Sequence, residues 1–380
     1  MSISNAVDLS RIAMVDNHAH ALSRRQPDDG PSFRANFSEA HDSTLARDHV
    51  GWSVQYRWAL RQITSYLQLP PDEDAFLAYR RAADFPAYAR GLVQDAGLDF
   101  LLLDEGYPPP ELAYTSSEMG EMLGVRVGRI LRLETTLEGI MPRCNTVGQL
   151  ESRFDAALED ARNAGFVALK SIAAYRTGLA IEPVREWEVM RAFADVRRGL
   201  ETPIRLASKP LIDHFVFRAL QYAAQHAMPV QFHTGYGDPD LDLRLANPLH
   251  LRVLFEQREF ANAPIVLLHE SFPFTAEAAY LAAAYPNAYV DVAFSLPPLN
   301  RGLLSDALRT VLGTAPVSKV LCSSDGTMIP EHYWLGATRA RLCLSQVLGE
   351  MVEADELDAA EAVTFAQMAL HDNAVGVYHL

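Results

Sequence analysis

Four short stretches carry donors that could bind a metal ion: Asp16-Asn17-His18-Ala19-His20, Gln231-Phe232-His233, Leu267-Leu268-His269 and Ser323-Ser324-Asp325. Each follows a short apolar run that reads as a strand: Ile12-Ala13-Met14-Val15, Pro229-Val230, Ile265-Val266-Leu267-Leu268 and Val320-Leu321-Cys322. Imidazole nitrogens and a carboxylate oxygen suit a divalent ion such as zinc. His18 and His20 are two apart on an extended segment, so their side chains point to one side and one ion can bind both. His233 and Asp325 would complete the ligand set. Such an ion lowers the pKa of a bound water and polarises a scissile carbonyl. Asp325 can both ligate and accept the water's proton. His269 can orient the hydroxide or shuttle a proton. Singly these signals are weak. A lone His-x-His or a His at a strand end is more often structural, and Asp325 before Gly326 is also a turn pair. Their shared placement at strand ends, in order along the chain, is what joins them.

Lys170 follows Phe166-Val167-Ala168-Leu169 and should reach the same rim. Three roles are open to it. It can be carboxylated and bridge two metals, it can bind a substrate carboxylate with Arg176 as helper, or it can neutralise buried carboxylates. Glu134, at the end of Leu131-Arg132-Leu133-Glu134, is either a ligand or the partner of Lys170 or Arg132. Tyr175 and Tyr236, the latter in the loop Gly235-Tyr236-Gly237-Asp238, are expected to line a pocket with Lys170, Arg176 and Glu134. The loop Glu105-Gly106-Tyr107 is expected to do likewise. Among the other histidines only His332 is a pocket candidate.

These residues need strands to position them. Four more runs complete a set of eight: Phe100–Leu103, Val125–Leu133, Phe166–Leu169 and Ala288–Val292. Helical patterns lie between them at Val147–Ala164, Leu211–Ala227, Pro248–Ala261 and Thr275–Tyr285. Alternation of strand and helix predicts a parallel sheet, and eight units predict closure into a (β/α)₈ barrel. A barrel collects the C-terminal ends of its strands on one face. No G-x-G-x-x-G follows the first strand, which argues against a dinucleotide-binding fold. Residues 21–98 exceed one crossover helix. They read as a helical insertion that either caps the pocket or contacts another subunit. The tail from His332 to Leu380 reads as helices, and the whole of 1–380 as one barrel domain.

The 33 Lys+Arg against 48 Asp+Glu give a net charge of −15, which argues against nucleic acid and anionic membrane as partners. The three cysteines, Cys144, Cys322 and Cys343, form no C-x-x-C and predict neither disulfides nor a thiolate zinc site. Met1–Ser4 opens no signal peptide, and no apolar run is long enough to span a membrane. A cytoplasmic homo-oligomer acting on a small molecule is the expectation.

At these motifs the chain resembles the amidohydrolase superfamily, in its amidohydrolase-2 branch, which also holds decarboxylases. The stretches Leu169–Leu179, Pro229–Asp238 and Val320–Asp325 are most similar to the amidohydrolase half of plant and fungal proteins fused to a glutamine-synthetase-like domain. The 380 residues leave no room for such a synthetase domain. The resemblance implies a distorted (β/α)₈ barrel with one divalent metal at His18, His20, His233 and Asp325, and an acid/base at His269. It places Lys170 where two-metal members carry a carboxylated lysine, so a second ion is the alternative. The expected activity is hydrolysis of an amide-type C–N bond in a small molecule, with γ-glutamyl amides or related amino-acid derivatives as a first class. Two alternatives are a metal-dependent decarboxylase of a small carboxylic acid and a non-catalytic metal-binding barrel.

Overall fold

The computed structural model describes residues 7–199, 203–295 and 299–380. The expectation of no signal sequence at Met1–Ser4 lies outside them. Eight strands form one sheet in the order β1-β2-β3-β4-β5-β6-β7-β8. They are β1 (Met14–Ala19), β2 (Leu98–Asp104), β3 (Arg126–Arg132), β4 (Phe166–Ser171), β5 (Val230–Phe232), β6 (Ile265–Leu267), β7 (Ala288–Ala293) and β8 (Val320–Ser323). Their pairing is parallel, as in β1–β2, β4–β5 and β5–β6, with helices between. Just past the end of β8, the Asp325 amide donates to the carbonyl of His18 in β1 at 3.1 Å. This is the (β/α)₈ barrel. β5 and β6 are buried along their whole length, as strands covered on both faces must be, and so read as apolar runs rather than alternating ones.

The chain divides into two compact units whose boundaries fall in β3 and β7. One contains the chain up to Gly128 with Asp291–Gly376; the other contains Arg129–Val290 with Val377–Leu380.

In the first unit, α-helices Gly30–Ala35, Val54–Tyr66, Glu73–Ala82 and Phe85–Asp95 lie between β1 and β2. Ser53 and Asp72 cap two of them through side-chain oxygens that accept from Tyr56 N and Ala75 N. Phe33 packs on Phe76 at 5.0 Å and Phe37 on Tyr56 at 5.2 Å, so the aromatics of this segment form its core. A buried ion pair joins it to the long helix Glu331–Glu353. Arg80 Nε donates to Glu331 Oε1 at 2.6 Å, and the Tyr88 hydroxyl donates to the same oxygen at 3.0 Å. After that helix, Asp358 opens the helix Ala359–Gln367 with a capping box.

In the second unit the expected helices at 147–164, 211–227 and 275–285 are present as Val147–Asn163, Lys209–His226 and Thr275–Ala284. The expected helix at 248–261 is instead three short pieces, Pro248–Leu251, Arg252–Glu256 and Arg258–Phe260. Extended backbone at Gln257 breaks it. Cys144, Cys322 and Cys343 are buried free thiols, each pushed above the ordinary thiol range chiefly by burial. No helix among the described residues is long and apolar enough to cross a membrane.

Candidate metal centre

His18 lies inside β1 and is fully buried; His20 is just past its end. His18 Nε2 is 3.6 Å and His20 Nε2 3.5 Å from Asp325 Oδ1. Ligands bound at about 2.0–2.1 Å to one tetrahedral zinc sit roughly 3.3 Å apart. Each imidazole nitrogen is therefore spaced from the carboxylate oxygen as two ligands of one ion would be. Asp325 reaches this position with a left-handed backbone, φ +53°. The next residue must be small, because a Cβ on Gly326 would lie 2.4 Å from the Tyr333 ring.

A buried polar layer fixes the ends of β1, β7 and β8. Asp16 accepts from Ser324 N at 2.8 Å and from Ser324 Oγ at 2.5 Å. Asn17 Nδ2 donates to Asp291 Oδ1 and to the Cys322 carbonyl, both at 2.7 Å, and Ser323 Oγ donates to Asp291 Oδ2 at 2.9 Å. Burial pushes the Asp16 carboxyl up to about 7; the Ser324 donors oppose this, and the charges of Asp291 and Asp325 add to it. The roles of Asn17, Asp291 and Ser323 were not visible in sequence, because their partners are far away along the chain.

The other unit holds His233 and His269. His233 Nε2 is 3.0 Å from the Tyr236 carbonyl, and His233 Nδ1 is 3.1 Å from His269 Nε2. A carbonyl only accepts, so Nε2 carries the hydrogen and Nδ1 presents a lone pair. Burial, then His269 and Lys170, hold the His233 pKa well below its ordinary value, which keeps that lone pair available. His233 could therefore offer Nδ1 to an ion, its other nitrogen being held by a backbone carbonyl. The 3.1 Å separation also suits two ligands of one ion, so His269 is spaced either as donor to His233 or as a ligand. The chain leaves β6 through three successive left-handed residues, His269, Glu270 and Ser271, with φ of 63°, 41° and 51°. Gly235 (φ +72°) packs against this turn; a Cβ there would be 2.3 Å from the Ser271 carbonyl carbon.

Lys170 is buried in β4, in register with Arg132 of β3 on one side and Gln231 of β5 on the other. Glu134 is buried as well. One Glu134 oxygen accepts from Ser171 Oγ at 2.7 Å and the other from Ile172 N at 3.0 Å, so Glu134 braces the end of β4. Arg176 pairs with Glu138 at 3.3 Å, and Glu138 also accepts from Leu206 N at 2.7 Å. The Tyr175 ring lies 4.4 Å from that of His233. Tyr236 meets His233 through its backbone carbonyl.

Asp104, at the end of β2, is a buried carboxylate that sequence reasoning passed over, though it follows Leu101-Leu102-Leu103 as the other candidates follow their runs. Its neighbour Glu105 accepts from Ser116 Oγ at 2.6 Å. Tyr107 places its ring edge-on to His20 at 5.6 Å. His332 is buried in the first unit with its ring on Phe37, and burial lowers its pKa to about 4.

A donor set of this kind at strand ends belongs with a known group of proteins. The amidohydrolase family model matches residues 143–380. The chain belongs to the amidohydrolase family. This amidohydrolase is 30% identical over 400 aligned positions to protein fluG of Emericella nidulans, covering 97% of the chain and 46% of fluG. It thus spans about half the length of that curated relative. Among solved structures it is similar to a protein assigned as a metal-dependent hydrolase from Lactobacillus casei, with 28% identity, a TM-score of 0.86 and 98% of each chain covered. A uronate isomerase from Bacillus halodurans shares the fold at 13% identity, with a TM-score of 0.67, 97% of this chain and 94% of that one. The family match and the likeness to that hydrolase give the chain the fold of a metal-dependent hydrolase.

Proposed function

We propose that this amidohydrolase cleaves an amide-type C–N bond of a small molecule, with one divalent ion, zinc in the first instance, held by His18, His20, His233 and Asp325. The observation that carries this is the 3.5–3.6 Å spacing of both His-x-His nitrogens from Asp325 Oδ1. The barrel fold supports adding His233, because strand ends gather on one rim. The ion supplies Lewis acidity and a water of lowered pKa. Asp325 would accept the proton that the attacking water gives up. His269 passes a proton to the leaving nitrogen. Lys170, Arg176, Tyr175, Glu134 and Tyr236 are the proposed substrate-facing group, with Glu134 acting by holding the β4 end. The likeness to fusion proteins carrying a glutamine-synthetase-like domain makes γ-glutamyl amides and related amino-acid derivatives the first class to test.

The test is elemental analysis of the purified chain followed by turnover of a panel of amides and carboxylic acids. Metal at a molar equivalent with amine release supports the proposal; no metal and no turnover would point to a non-catalytic barrel. A second reading is favoured by the cations Arg132 and Lys170 standing in register: a carboxylate held there could be lost as CO₂, the carbon keeping the bonding pair and taking a proton from solvent. Release of CO₂ without amine from the same panel selects it. A second ion belongs to the model only if Lys170 is carboxylated. The buried thiols fit a reducing, cytoplasmic setting. Segment 21–98 serves as a cap or a subunit contact, and sedimentation of the full chain separates the two.

A further inference from the structure

We infer that Asp104, from β2, is a further carboxylate ligand of the metal centre, beside the His-x-His pair. This rests on the proposal that His18 and His20 hold the ion. Asp104 is fully buried, and one of its oxygens lies with one nitrogen each of His18 and His20 in a group whose ligand atoms are all within 4.8 Å of one another. The strand register explains why. Ala19 of β1 pairs with Leu103 of β2. Partners across a parallel pair share a face, and the residues on either side of them point the opposite way. β1 carries a register irregularity between Asp16 and Ala19, so alternation is followed only from Ala19 onward: His20 follows Ala19 as Asp104 follows Leu103, these two project to the same face, and His18 joins them by its approach to both.

The Asp104 carboxylate is also held as a ligand should be. Gly106 N donates to Oδ1 at 2.9 Å, which fixes the plane of the group. The Tyr107 ring closes the far side of His20. With Asp325 as the ligand proposed above, Asp104 would bring a second carboxylate to the ion, and two carboxylates would offset the full charge of a divalent ion. A second oxygen donor shifts the site towards harder ions, so manganese becomes a fit alternative to zinc.

The test uses the full chain loaded with Co(II), Zn(II) or Mn(II). Asp104→Asn should weaken metal binding at least roughly tenfold in chelator competition, the scale known for groups that merely support a ligand. The visible Co(II) spectrum should shift with it. His18→Ala/His20→Ala is run alongside. If that double variant loses the ion while Asp104→Asn keeps wild-type affinity and spectrum, the Asp104 assignment fails and the His-x-His site stands. If the double variant keeps a molar equivalent of metal, the underlying site is wrong. Should Asp104→Asn not fold, a crystal structure of the zinc-loaded wild type decides: a carboxylate oxygen about 2.0–2.2 Å from the ion supports the assignment, and one beyond bonding range overturns it.

Discussion

At the scale of single residues, the site is defined by lone pairs and by what holds them. His18 and His20 each stand at ligand spacing from Asp325, so replacing both histidines with Ala should remove the ion and the activity while leaving the far-ultraviolet circular dichroism unchanged. Lys170 tests differently. It is buried in register with Arg132, and Lys170→Ala should cut turnover far more than it lowers the melting temperature. An equal loss of both would make it structural. His269→Asn should lose about 10²- to 10⁴-fold in rate and keep its metal if His269 moves protons. Loss of metal in that variant would instead make His269 a ligand, as its 3.1 Å approach to His233 allows.

At the scale of elements, the loops after β5 and β6 touch backbone to backbone. Gly235→Ala would place a methyl within 2.4 Å of the Phe272 carbonyl oxygen and strain φ besides. A cost of about 2–4 kcal/mol is expected in urea melts, together with weakened metal binding, since His233 precedes this loop directly. Glu331→Gln should cost roughly 3–5 kcal/mol, because Arg80 would remain buried without its counter-charge; the same melts measure it. Elements of this kind were unevenly legible in the sequence. All the strands could be read from their apolar runs, and the helix Val147–Asn163 from its amphipathic period. The break at Gln257 was not, because a helical pattern of apolar residues does not reveal one extended residue. His18, His20, His233 and His269 stood out as residue types with a strand-end position. Asp104 did not, because a carboxylate after an apolar run is ordinary until the β1–β2 register shows what it faces. The layer of Asn17, Asp291 and Ser323 rests on contacts between strands, those of Asn17 spanning 274 and 305 residues, which no local pattern encodes.

At the scale of the whole molecule, burial of titratable groups links stability to pH. The His332 imidazole has a folded pKa of about 4 against an ordinary 6.5. Between those values the unfolded chain takes up a proton that the folded chain refuses, so stability falls as pH drops from 6.5 towards 4. From this one group the loss is roughly 3 kcal/mol in total. His332→Leu should flatten that slope; urea midpoints at pH 7 and pH 4.5 would differ less than in the native chain. An unchanged difference would assign the acid sensitivity to other groups.

The burial of Cys144, Cys322 and Cys343, each with a raised pKa, also decides how the molecule can be probed. Thiolate, not thiol, reacts with maleimides and disulfide reagents. The native chain is therefore a quiet background for such labels. A single cysteine at Trp52, which is 79% exposed in the segment between β1 and β2, would be labelled alone. A fluorophore or spin label there would report movement of that segment as substrate binds, with no need to strip the natural cysteines first.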